Sequence, residues 1–274
     1  MRYLPRDAAP FSERVWKLIE EAVVGAASSQ LAGRRLLAIE GPLGLGARTL
    51  EQQEEPAPAE AAFGEARARM TAPRASAIPT IYAEFSLPIR DIAAVEERGG
   101  LPSLSPATQA AIACARMEES LVFHGHRDLG LPGLLTAPGA AKVKLGDWSQ
   151  LGRPLEDLIQ AVGALDAAGF PGPYAAALAP GLYHQLFRIY ERGNLTQLQH
   201  ARQLITAGLV KAPALASGGV VLASERHFAS IVVAQDLTPE FVGPRGLDFD
   251  FVVLEALAPR IAAPEAICVL EAAK

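Results

Sequence analysis

The chain has 274 residues; half are apolar, only 6% are aromatic, and the net charge is −5. That length and apolar content suffice for one large domain or two modest ones around an ordinary core, with packing left to alanine and aliphatic side chains. The acidic balance argues against a dedicated nucleic-acid binder, which carries a basic face. No stretch reaches the ~18 uninterrupted apolar residues of a membrane-spanning helix.

Pro10, Phe11 and Ser12 lead into a helix, with Ser12 as N-cap and Glu13 at its positive end. Val15, Ile19, Ala22, Val23 and Ala26 recur at helical spacing, opposite Arg14, Lys17, Glu20 and Glu21. Residues 47–78 are rich in Glu, Ala, Pro and Arg and show no clean period. Structureless loops beyond about 12–15 residues are uncommon inside a compact domain. The strand-like runs on either side, LLAIEGP and IPTIYAEFSLPI, favour an extended arm anchored at both ends over a disordered segment. Phe85, Leu87 and Ile89 alternate as in a strand with one buried face. Ser105–Pro106 then opens an alanine-rich helix to about Val122, with Ala110, Ala113 and Met117 along one side.

PLEDLIQAVGALDAAG predicts a helix with Leu155, Ile159, Val162 and Leu165 inward and Gly169 as its stop. YAAALAP reads as a short buried strand. GLYHQLFRIYERG and LTQLQHARQLITAG read as helices closed by glycine. VVLASERHFASIVVAQDL reads as a hairpin, and DFDFVVLEALAPRIAAPEAICVLEA as late strands. The order gives an α+β fold in which strands from distant parts of the chain share one sheet.

Candidate chemistry is sparse. Cys114 and Cys268 lie outside any CxxC pattern and read as buried thiols of a reducing compartment. MRYLPRDAAPFSERVW has no apolar run behind its basic residues and no signal-peptide pattern, so a soluble cytoplasmic protein is expected. GPLGLGA (Gly41 to Ala47) lacks the GK[ST] ending of a phosphate loop and reads as a turn feeding the arm. His124 and His126 form HGH, but Asp128 is the only close carboxylate; a helix terminus suits a histidine without any metal. There is no GxSxG, and His184, His200 and His227 are scattered. Trp16 and Trp148 read as packing residues. No catalytic residue, metal or cofactor is expected.

Taken in order, these blocks resemble the family 1 encapsulins over nearly the whole chain. LAGRRLLAIEGPLG (31–44), IPTIYAEFSLPIRDIA, LVFHGHRDLGLPGLL, GPYAAALAPGLYHQLFRIYE, VVLASERHFASIVVAQDL and FVVLEALAPRIAAPEAICVLE carry the resemblance. GPLGLG, IPTIYAEF, LGDW and GPYAAALAPGLYHQLFRIYE are especially similar to the iron-compartment branch. The resemblance implies a tailed-bacteriophage major-capsid-protein-like fold. It divides the chain into 1–46 (N-terminal helix and start of a peripheral domain), 47–78 (extended loop pairing with a neighbour's), 79–138 (peripheral domain with spine helix), 139–224 (axial domain) and 225–274 (return to the peripheral domain).

It further implies many copies in a closed icosahedral shell around a cargo enzyme, ferritin-like or a dye-decolourising peroxidase, docked by its C-terminal targeting peptide. The matching docking positions are Ala27, Leu31, Arg34, Leu36, Ala38, Asp236 and Leu237, where small apolar side chains beside an Arg and an Asp suit an extended peptide. Ala26 and Ala27 stand where some relatives carry bulkier residues, which implies a shallower groove. Gly193, Asn194, Leu195 and Thr196 match the five-fold pore loop and imply a neutral aperture selecting by size. Some relatives stack a flavin on a tryptophan; Arg90 stands there, so no flavin is expected. A prophage-type capsid protein is the rival reading, disfavoured by the acidic charge. A hydrolase or metalloenzyme using His124 and His126 is a distant third.

Overall fold

The computed structural model describes residues 8–190 and 194–272. The N-terminal part holds α1 (Glu13–Ser28), a 3-10 turn at Gly33–Arg35, β1 (Ala38–Glu40), β2 (Thr49–Phe63), β3 (Ala66–Ala77), β4 (Thr80–Pro88), α2 (Ile89–Arg98) and α3 (Ser105–His124). The short strands β5 (Gly125–His126) and β6 (Leu131–Pro132) precede β7 (Ala141–Lys144), α4 (Arg153–Ala167), β8 (Tyr174–Leu178), α5 (Pro180–Gln185), α6 (Gln197–Leu204) and β9 (Gly208–Lys211). The chain ends with β10 (Gly219–Ala223), β11 (Ala229–Arg245), β12 (Asp248–Ile261) and β13 (Ile267–Glu271).

The first helix forms as its spacing predicts. Its buried stripe is Val15, Trp16, Ile19, Val23 and Ala27, with Ala22 and Ala26 at the margin. Ser12 is extended at the N-cap, but its hydroxyl donates to Glu96 Oε1 at 2.7 Å on α2 instead of capping α1. Trp16 and Phe11 pack into an aromatic cluster on the sheet below. Phe85 and Phe251, cross-strand partners on β4 and β12, stack there at 5.0 Å and 7°.

A four-stranded sheet runs β1-β11-β12-β4 and a five-stranded sheet runs β7-β13-β10-β8-β9. The run YAAAL is continuously apolar because β8 is buried on both faces. Ala175 and Ala177 face the core under α1 and α3, while Ala176 and Leu178 face a second core under α4 and α6.

The arm is an antiparallel hairpin, β2 with β3, paired from Thr49↔Ala77 to Phe63↔Ala66. Its loop is Gly64–Glu65, with φ +60° at Gly64 and no positive φ at any described non-glycine residue, as a type II′ turn requires. All side chains from 61 to 72 are exposed. Strand alternation marks one buried face; over 61–72 no face is buried, so that stretch imposes no period.

Several expectations are corrected. VVLASERHFASIVVAQDL is not a hairpin: β10 pairs with β8 and β13, β11 with β1 and β12, and residues 224–228 cross between the sheets. The hairpin is β11–β12, turned at Gly246–Leu247. Near the C-terminal end, β13 pairs with β10 and β7 in the five-stranded sheet. Ile159 faces outward, 52% exposed, because the inward stripe of α4 is Leu158, Ala161, Val162 and Leu165. Ala113 and Met117 are exposed on α3, whose apolar residues run around most of its circumference. Ile89 opens α2, which the sequence reading missed together with β9. The helix expected from residue 181 ends at Gln185, and part of its remainder lies outside the described residues.

Candidate functional site

The expected docking positions gather where α1 ends, the chain turns through Gly33–Arg35, and β1 pairs in parallel with β11 (Ala38↔Ser230 to Glu40↔Val232). Ala27, Leu31, Leu36 and Leu237 are only 3–8% exposed, so four of the seven positions belong to the core of the single chain. Ala38 and Asp236 are exposed and Arg34 is half-buried. A register shift in β11 between Gln235 and Thr238 releases Asp236 and Leu237 from the ladder and turns Asp236 onto Arg34, the usual work of a bulge.

Arg34 is the centre of the site. Nε and Nη2 donate to the two oxygens of Glu118 at 2.7 and 2.9 Å, a bidentate pair. Nη1 donates to Asp236 Oδ1 at 2.6 Å and Nη2 also to Glu255 Oε2 at 3.2 Å. Burial pulls the guanidinium pKa down, but the hydrogen bonds and charges of Glu118 and then Asp236 outweigh it and raise it above its ordinary value. Next to Glu118, Glu119 accepts from the Gly33 amide at 2.7 Å. The arginine and aspartate expected to meet a ligand's charge therefore meet each other and two buried glutamates.

Sequence reasoning missed these glutamates and the exposed apolar side chains nearby. Val24 on α1, Ile39 on β1 and Leu43 just beyond are 50%, 45% and 55% exposed. β1 is an edge strand, and Leu43 and Gly44 continue along β11 by donating to the Val233 and Ala234 carbonyls. Gly41, with φ +123°, is required there: a Cβ would lie 2.1 Å from the Val233 oxygen. GPLGLGA is thus the turn into the arm, as read from sequence.

Among the pore positions, Gly193 lies outside the described residues. Asn194 and Leu195 are exposed. The Thr196 hydroxyl is committed to a capping box at α6: it accepts from the Gln199 amide at 3.2 Å, and Gln199 Oε1 accepts from the Thr196 amide at 2.7 Å. His124 ends α3 with Nε2 3.3 Å from the Ala214 carbonyl oxygen. Among the described residues no group of three or more His, Cys, Asp or Glu is placed to hold a metal. Arg90 is exposed in the first turn of α2. Both cysteines are free and buried. No described helix is long and apolar enough to cross a membrane.

The arrangement is an ionic clasp beside an exposed edge strand. The Linocin_M18 family model, described as the encapsulating protein for peroxidase, matches residues 1–258. The chain belongs to this family, the encapsulins. The type 1 encapsulin shell protein of Myxococcus xanthus is 37% identical over 99% of this chain and 97% of its own length. The diheme-cytochrome–encapsulin shell fusion protein of Kuenenia stuttgartiensis is 33% identical over 93% of this chain and 72% of its own. In structure, the chain matches the virus-like particle of Pyrococcus furiosus with a TM-score of 0.75 at 24% identity, over 95% of this chain and 100% of that one. The capsid of Myoviridae phage XM1 matches at 0.62 and 12% identity, over 86% and 90%. The fold is therefore the tailed-phage capsid fold, as the sequence resemblance implied. The encapsulin chain is a non-enzymatic shell subunit that assembles in many copies into a capsid-like nanocompartment.

Proposed function

We propose that this shell encloses a ferritin-like or peroxidase cargo enzyme in the cytoplasm, serving iron storage or defence against oxidative stress. The cargo docks by an extended C-terminal targeting peptide along β1. The observation that carries this reading is the edge strand itself, with Ala38, Ile39 and Leu43 exposed beside the end of α1. An extended peptide gains main-chain hydrogen bonds from such an edge, and apolar side chains give it anchors. Ala27, Leu31, Leu36 and Leu237 form the floor of this seat, and the Arg34–Asp236 pair closes one end. The family description names a peroxidase, and relatives at 33% and 30% identity are named as fusions to a diheme cytochrome and a ferritin-like protein, which supports an enzyme in the lumen. We assign the pore to Gly193, Asn194, Leu195 and Thr196, whose side chains carry no charge and pass small ions by size.

The test is co-expression with a ferritin-like protein bearing its C-terminal peptide. Ile39→Asp should leave shells intact and reduce captured cargo roughly tenfold, since losing a partly buried apolar anchor costs about 1.5 kcal/mol. Equal capture by wild type and variant, or capture that survives deletion of the peptide, would refute docking at β1.

A further inference from the structure

The Arg34 cluster carries more negative charge than one guanidinium neutralises. Three carboxyls, Glu118, Glu255 and Asp236, accept from Arg34. The Glu118 and Glu255 side chains are wholly buried, whereas that of Asp236 is 63% exposed. One nitrogen, Arg34 Nη2, donates to both Glu118 Oε2 at 2.9 Å and Glu255 Oε2 at 3.2 Å, so the two carboxyls crowd a single donor. Glu255 Oε1 is buried with no donor reaching it. Two carboxylates crowding one donor have only acceptors to offer each other, and a proton on one relieves that conflict. Like charges at that range, away from water, do not both ionise at neutral pH.

The surroundings confine the proton to this pair. From the 3-10 turn come Arg34 and Arg35, the latter acting on Glu119. From α3 come Glu118, Glu119 and the Cys114 thiol; from β11, Asp236; from β12, Glu255 itself. Arg116 and His124 lie beyond Glu119, around a cavity of about 340 Å³ that Pro213 and Ala214 also line. Arg34 is thus the only cation hydrogen-bonded to Glu255 among the described residues.

We propose that this cluster is a proton-operated latch: a proton on Glu255, beside Arg34 and Glu118, holds the segment from Leu31 to Glu40 against α3 and β12, and its loss in alkaline solution loosens that segment. The elements joined are far apart in sequence, since Arg34 meets Glu118 and Glu255 across separations of 84 and 221 residues. With the proton gone, two buried negative charges face one guanidinium, and the 3-10 turn bearing it is the shortest element of the cluster.

Burial first, and the charge and hydrogen bond of Glu118 next, push Glu255 from its ordinary 4.5 to about 9. Burial pushes Glu119 up to about 7, against the pull of the Gly33 and Ala32 amides. Raised carboxyl pKa values mean that the folded chain holds protons the unfolded chain gives up. The stability they contribute is whole below pH 4.5, declines as pH rises, and is gone above about 7 for Glu119 and about 9 for Glu255.

The experiment is hydrogen exchange by mass spectrometry on assembled shells without cargo, corrected for intrinsic rates, from about pH 6 to about pH 10. Protection of residues 31–40 in the wild type should fall at least tenfold through the upper end of that range, while β8 and β10 hold theirs. Glu255→Gln supplies a permanent amide donor to Glu118 and should keep the protection. Glu118→Gln does the same from the other side and serves if the first variant fails to fold. The infrared band of a buried protonated carboxyl should be present in neutral wild-type shells, disappear in alkali, and weaken in either variant. Alkaline loss that is equal in wild type and variants, or no such band, would overturn the latch. Because no cargo is present, neither outcome depends on where cargo binds.

Discussion

Replacing Arg34 with alanine distinguishes a fold residue from a docking residue. The substitution removes four hydrogen bonds to three carboxyls, two of them on wholly buried side chains. Breaking a buried ion pair by deleting one partner costs about 3–5 kcal/mol, because the remaining charge has nothing to face. Burial and Glu118 push Glu255 toward its neutral form, so the expected cost is about 3 kcal/mol, the low end of that range. For a chain of this size that is a fall of roughly 6–10 °C in melting temperature. Arg34→Met keeps much of the apolar stem and should lose nearly as much, because the charge is what the cluster needs. The assay is thermal melting of empty shells followed by light scattering and fluorescence. A variant that melts within about 1 °C of wild type yet captures no cargo would refute the reasoning and return Arg34 to the docking surface.

A second clasp holds the loop before α4. Asp157, fully buried, accepts from the Trp148 indole and the Gly146 amide, both at 2.8 Å, and pairs with Arg153 at 3.0 Å. Asp157→Ala should destabilise by about 3 kcal/mol, with Asp157→Asn recovering part of that by still accepting from Trp148, read from denaturant midpoints. Burial pushes Cys268 up to about 11 and Cys114 up to about 12, the latter with help from the Glu255 charge. A thiol reagent at about pH 8 should therefore leave both unmodified in shells and label both in denaturant, counted by mass; labelling of intact shells would contradict the burial.

Legibility in the sequence followed the burial of each segment within one chain. α1, β4 and β8 were readable because a buried stripe, a one-sided strand and a two-sided strand each leave a pattern that water enforces. The arm was readable only as an anomaly, since its described side chains from 61 to 72 are all exposed and impose no period. β10 and β11 were both recognisable as strands, but their sheets were not: ERHF looks like a hairpin turn, and nothing local reveals that the chain there changes partners. Ile159 was misassigned because an apolar residue on a helix reads as core whether the neighbouring surface is its own or another copy's. The ionic cluster did leave a signal. Glu255 is the single charge in the run FVVLEALA, on a strand too apolar to carry an unpaired carboxylate. What was missing was the partner, because the residues that meet it stand 221, 137 and 19 positions away, at Arg34, Glu118 and Asp236.

The exposed apolar residues give a chain with so ordinary a core several separate faces on which other copies can pack. They lie on separate elements: Phe63 near the arm tip, 92% exposed; Tyr82, Met117 and Leu129 around a groove between β4 and α3; and Ile159, Phe187 and Ile189 on the α4–α5 side. A single self-complementary patch closes a dimer and stops there. A shell needs each copy to meet several neighbours by different faces, and apolar surface left uncovered in solution is an association site. Distributing that surface keeps each contact modest on its own while the closed particle gains all of them together. The ionic cluster lies at the junction of α3, the four-stranded sheet and the N-terminal segment, with Cys114 and Ile81, the cross-strand partner of Glu255, lining the β4–α3 groove. Loosening it would therefore disturb both the seat proposed for cargo and that groove.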